Sequence, residues 1–106
     1  MLYQLSFYVP DSHVEAVKTA LFAAGAGRYQ GYEHCAWQVL GQGQFRPLAG
    51  SQPFIDQPQQ FEVVAEYKVE MICQPEFIQA AVRALLQAHP YQQPAYAVLP
   101  ISYEFS

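Results

Sequence analysis

Between Phe61 and Cys73, apolar and charged residues take turns. Phe61, Val63, Ala65, Tyr67, Val69 and then Met71 or Ile72 are set among Glu62, Glu66, Lys68 and Glu70. Successive side chains of a strand point to opposite faces, so this rhythm predicts a strand over 61–73 with one face buried and the other wet or packed on polar groups. Such a strand needs partners beside it and a cover over its apolar face. The rest of the chain offers both. Residues 2–9 read as a first strand by their aromatic and β-branched content, and Pro10 stops it. A second strand is expected around Tyr32–Leu40 and a last one over Ala95–Phe105. Two helical stripes lie between them. Val14, Val17, Leu21 and Ala24 recur at helical spacing behind Asp11 or Ser12, either of which can cap the free amides, with Glu15 in the first turn. Gly25 and Gly27 close that helix. Pro75 sits near the start of the second, whose stripe is Phe77 or Ile78, Ala81, Val82, Leu85 and Leu86, and Pro90 ends it.

Strand, helix, strand, strand, helix, strand is the order of two crossover units. They fold into a four-stranded antiparallel sheet with two helices on one face, an α+β, ferredoxin-like βαββαβ arrangement. At 106 residues the chain makes one domain over 1–106 and can bury a core without disulfides or metal. Only 13% of its residues are charged, about half the usual roughly 25%, which suggests faces hidden by partner subunits. A net charge of −4 gives phosphate backbones nothing to bind, so nucleic acid is not an expected partner. No apolar run approaches the roughly 20 residues of a membrane span. The N-terminus lacks a basic segment and runs straight into a strand-like pattern, so no signal peptide is expected. Cys35 and Cys73, without a paired motif, fit a reducing cytoplasm.

Several residues could carry chemistry. Gly25-Ala26-Gly27-Arg28-Tyr29-Gln30-Gly31 superficially resembles a dinucleotide fingerprint, but such a fingerprint follows a strand and opens a helix, whereas these glycines close one and lead into a strand. Metal binding would rest on His34, Cys35 and His89, with Cys73 and Glu33 nearby in type. Adjacent residues on a strand face opposite sides, so His34 and Cys35 would not share one ion easily, and no CxxC or HxxxH spacing supplies the three or four ligands that zinc needs. Cys73 reads as a small buried apolar residue. A cysteine nucleophile would need Cys35 to meet His89, with no aspartate obviously placed to orient the histidine. His89 alternatively caps its helix or hydrogen-bonds a neighbouring strand.

Two segments exceed what turning requires. The excursion from Gly41 to Gln60 carries Gly41-Gln42-Gly43-Gln44-Phe45-Arg46-Pro47 and then Gln52-Pro53-Phe54. Arg46 offers a planar fork of donors for a carboxylate or phosphate, beside an anchoring Phe45. Its structural alternative is a hairpin arm on a neighbouring subunit, with Phe45 and Phe54 burying apolar area and Arg46 paired to Glu62, Glu66 or Glu70. The second segment is His89-Pro90-Tyr91-Gln92-Gln93-Pro94-Ala95-Tyr96, where Tyr91 and Tyr96 suit an interface with one dry and one wet side.

These two segments, together with Gly25-Ala26-Gly27-Arg28 and Tyr32-Glu33-His34-Cys35, make the chain resemble the domain inserted within the Nif3-like (YqfO-type) proteins. That domain is similar in fold to CutA and the PII signalling proteins. The resemblance covers nearly all of the chain. It implies a regulatory domain in a fold whose relatives associate as trimers. The metal-holding lobes of full Nif3-like proteins are not represented in these residues, so their metal site and any hydrolase activity do not carry over. Members usually have two glutamates where this chain has Gln92 and Gln93, which weakens any cation site built on those acids.

The expected function is therefore non-catalytic, with no cofactor. It is a cytoplasmic, oligomeric module, a homotrimer or other closed oligomer, that binds a small ligand or protein partner in an intersubunit cleft lined by Phe45, Arg46, His34, His89, Tyr91 and Tyr96. The alternative is a divalent metal-binding protein of the CutA type, with His34, Cys35 and His89 as ligands.

Overall fold

A computed structural model describes residues 1–48 and 61–102. The element order is β1 (Leu2–Val9), α1 (Val14–Ala23), β2 (Trp37–Phe45), β3 (Glu62–Cys73), α2 (Ile78–Ala88) and β4 (Tyr96–Ile101). The strands form one antiparallel sheet in the order β2-β3-β1-β4, the ferredoxin-like arrangement expected from the sequence.

The charged rhythm of β3 works through its register with β1. Leu5 pairs with Met71, Phe7 with Val69 and Val9 with Tyr67, so their side chains share one face. Val14, Val17 and Leu21 of α1 and Ala81 and Leu85 of α2 cover that face, and with Ala26 and Cys73 complete the buried core. Fully burying side chains such as Phe7 or Leu21 stabilises by about 1.5–3 kcal/mol each. The other face carries Gln4, Ser6 and Tyr8 opposite Ile72, Glu70 and Lys68, and neither of the described helices covers it. At the outer edge, β4 contains Pro100 opposite Tyr3.

Three local expectations need correction. The second strand starts at Trp37, not near Tyr32. Gln30 and His34 hold φ of +54° and +59°, left-handed values that break an extended run, and the Cys35 amide bonds back to Gly27. Pairing instead continues through Gly41–Phe45, which composition suggested were loop. Neither Asp11 nor Ser12 caps α1. A turn displaces the cap to His13, and the Ser12 hydroxyl is engaged with the His13 ring at 2.7 Å. The last strand is described to Ile101, and residues 103–106, like 49–60 with Gln52, Pro53 and Phe54, lie outside the described residues.

β3 outruns β1. Pairing with β1 stops at Tyr67, while the five pairs from Gly41↔Glu66 to Phe45↔Glu62 join β3 to β2 alone. They make a two-stranded arm projecting about 17 Å beyond the four-stranded body. No helix among the described residues is long and apolar enough to cross a membrane.

The glycines after α1 set how its end meets α2. Gly25 has φ +108°, and a Cβ there would lie 2.6 Å from the Phe77 ring. Gly27, at φ +78°, donates its amide to the Ile72 carbonyl of β3. Gly25→Ala should therefore destabilise the fold by about 1–3 kcal/mol, combining the left-handed conformation with the clash. Urea unfolding checks this; an unchanged midpoint would refute the packing argument.

Candidate functional site

The residues expected to line an intersubunit cleft, together with Cys35 of the alternative metal set, occupy three places in the chain. His34 and Cys35 lie in the loop before β2, at the end of the sheet where β1 begins. The His34 ring stacks on Phe22 at 4.6 Å between centroids, with Nε2 3.7 Å from Glu33, and Cys35 hangs from Gly27 by its amide. His89, Tyr91 and Tyr96 sit at the other end of the sheet, by the root of the arm. Gln4, beside the first group, and Tyr8, beside the second, are four residues apart on β1, about 13 Å. Phe45 and Arg46 lie farther out, at the far end of the arm. Arg46 makes no ion pair within the chain among the described residues, and its expected pairing with Glu62, Glu66 or Glu70 belonged to an arm packed on a neighbouring subunit.

His89 is the most constrained of these residues. It is 6% exposed, and its backbone amide closes α2 onto Leu85. Its ring Nδ1 accepts the Tyr91 amide at 3.1 Å, and Nε2 lies 2.6 Å from the Tyr8 carbonyl of β1. An amide can only donate and a carbonyl can only accept, so the ring is neutral with its proton on Nε2. Both nitrogens are thus engaged within the chain, which leaves neither for a metal or as a base for Cys35. Among the described residues, no three His, Cys, Asp or Glu side chains gather to hold an ion.

Tyr91 packs tilted against the His89 ring, with 4.9 Å between centroids. Its phenol is held above the ordinary tyrosine range, first by burial, then by the charge of Glu66 and a hydrogen bond to that carboxylate. Glu66 in turn lies over Gly43, where a Cβ would come 2.6 Å from Oε1. The loop after α2, the end of β1 and the root of the arm are fastened together here. Tyr96 begins β4 beside Phe7 and is 40% exposed. Cys73 is buried, and burial pushes its thiol up, away from the reactive thiolate.

The sequence reading missed a different grouping. On the uncovered sheet face, Trp37 stands directly across from Glu70, and Gln4 donates to Glu70 Oε2 at 2.6 Å. The alternation in β3 exposed Glu70, but only strand register brings Gln4 and Trp37 to it.

No family model matches the chain. The GTP cyclohydrolase 1 type 2 homolog of Bacillus subtilis is 38% identical over 94% of this chain, a match that spans 27% of that protein. A Bacillus cereus protein related to NIF3 superposes with a TM-score of 0.84 at 33% identity, over 96% of this chain and 26% of that one. The periplasmic divalent cation tolerance protein CutA of Archaeoglobus fulgidus shares the fold alone, with a TM-score of 0.71 at 14% identity over 99% of this chain and 88% of that one. The chain thus spans about a quarter of the length of the curated relatives it matches. Its likeness to the Nif3-like proteins and its CutA-like fold hold as expected from the sequence.

His89→Ala would strand the Tyr8 carbonyl and the Tyr91 amide and should destabilise by about 1–3 kcal/mol. Tyr91→Phe keeps both bonds to His89 and loses only the phenol's bond to Glu66, so it should cost less, about 0.5–1 kcal/mol. Equal losses in thermal melts of the two variants would show that the ring is not the fastening.

Proposed function

We propose that this chain, homologous along nearly its whole length to a segment of the Nif3-related proteins, is a non-catalytic module that assembles with copies of itself through its arm and binds a small ligand or protein partner. The arm is the observation that carries this reading. A two-stranded ribbon is marginal in water by itself. This one leaves Leu40, Phe45, Phe61 and Val63 about half exposed or more, with Leu48 just beyond. Phe45 falls on the face opposite Leu40 and Val63, so the arm exposes apolar surface on both sides, and exposed apolar surface concentrated on one element marks interaction sites. A neighbouring copy would cover it, and a closed oligomer, with three copies the number favoured by the CutA and PII resemblance, satisfies every arm at once.

The separation of Cys35 from His89 supports a non-catalytic role, since it leaves the cysteine without the base that a thiol nucleophile needs. The single sheet and core that the described residues form favour one domain over 1–106. Free Cys35 and Cys73 favour a reducing, cytoplasmic setting. An intersubunit cleft that joined Phe45 and Arg46 to His34, His89, Tyr91 or Tyr96 would have to draw these residues from different copies. Divalent metal binding by His34, Cys35 and His89 carries the same requirement, and His89 would first have to give up a bond to Tyr8 or Tyr91.

Size-exclusion chromatography with light scattering tests the reading. The native chain should run as a closed oligomer. Phe45→Ala combined with Val63→Ser should weaken assembly by about tenfold or more while leaving the circular dichroism of the body intact. A native chain that stays monomeric at all concentrations, or a double variant that assembles fully, would defeat it.

A further inference from the structure

At the end of the sheet away from the arm, a concavity of about 310 Å3 opens on the uncovered face, walled by Gln4, Cys35, Ala36, Trp37, Glu70 and Ile72. That volume is at the small end of the range for metabolite sites. Its polar wall is pre-set. The Gln4 amide holds Glu70 Oε2 at 2.6 Å, while among the described residues the charged group near Oε1 is Lys68 Nζ, at 3.8 Å, beyond hydrogen-bond length. A carboxylate offers about four lone-pair positions, so Oε1 keeps acceptor capacity. Beside it stands the indole of Trp37, 60% exposed, from the position directly across the strand pair.

These two groups ask for the same thing. The face of an indole attracts a cation more strongly than any other side-chain ring. A carboxylate adds charge and accepts N–H donors in short, strong bonds. An anion gains nothing from either group, and a neutral molecule gains only apolar contact with the ring, Ile72 and Ala36. A quaternary ammonium would leave Oε1 without a donor. We propose that this concavity is a binding site for a small organic cation, a primary amine carried on an apolar body, with its ammonium on Glu70 Oε1 and its body against Trp37. Lys68, two residues along β3 on the same face, is the chain's own competitor for that oxygen. The proposal deepens the reading of the chain as a binding module, and it is independent of assembly through the arm, which lies at the other end of the sheet.

Trp37 is the only tryptophan, so its emission reports the site directly. Benzylamine, protonated at neutral pH, is the probe, and benzyl alcohol is its neutral counterpart. On the full chain, benzylamine should change Trp37 emission saturably in the millimolar range and slow alkylation of Cys35 by iodoacetamide, while buried Cys73 stays unreactive in both states. Benzyl alcohol should bind about tenfold more weakly or not at all. Glu70→Gln keeps the shape and should weaken benzylamine binding by about tenfold or more, whereas Lys68→Met should tighten it about threefold. Equal binding of the two probes, indifference to Glu70→Gln, weaker binding in Lys68→Met, or no saturable change would each overturn the proposal. Light scattering on the same samples keeps the two ideas apart. An assembled protein that ignores the amine removes this site and leaves the arm reading standing; a monomer that binds the amine does the reverse.

Discussion

The pairing of β1 with β3 is the constraint on which the other elements depend. These are the two inner strands, and each edge strand attaches to one of them. Their register places Leu5, Phe7, Val9, Val69 and Met71 on one face, and both helices exist to cover that patch. A one-residue slip of β3 would turn Val69 and Met71 toward water and bring Lys68 and Glu70 under the helices, so the register is strongly specified. The helical layer is also tied to these strands by polar bonds at opposite ends. Gly27 donates to Ile72 of β3 near one end, and His89 donates to Tyr8 of β1 near the other. Apolar burial supplies most of the attraction, and the two hydrogen bonds fix where each helix enters or leaves.

Much of this was legible in the sequence because the periods are strong. The helical stripes through Val14, Val17, Leu21 and through Ala81, Leu85 survive into the structure, and the two-residue rhythm of β3 buries Val69, Met71 and Cys73, whereas Phe61, Val63 and Ala65 in its first half stay exposed. Failures cluster where local composition and long-range pairing disagree. Tyr32–Ala36 look strand-like, yet His34 in a left-handed conformation and the Cys35–Gly27 bond turn the chain there. Gly41 and Gly43 look like loop, yet β3 offers a paired edge that outweighs their weak strand preference.

The candidate site was less legible for a related reason. His34, Phe45 and Arg46 were expected to line one intersubunit cleft. β2 is extended, however, and carries the latter pair to the far end of the molecule. Gln4, Trp37 and Glu70 are remote in sequence and adjacent in space, because two separate strand registers place them there. His89 was singled out for its chemistry, but a neighbouring amide and carbonyl occupy both ring nitrogens. A residue type flags a capability; its hydrogen-bond partners decide whether that capability remains free.

Pro100 bears on what the edges of this sheet can become. Proline has no amide hydrogen, and on an edge strand its missing donor faces outward. The β4 edge therefore presents an interrupted row of donors, whereas β2 from Trp37 to Phe45 contains no proline. Endless side-by-side stacking of sheets, the route to fibrils, requires every copy to offer two complete edges. With one edge blunted, this chain is biased against open-ended growth, a safeguard that matters for a protein with so much apolar surface left uncovered on its strands.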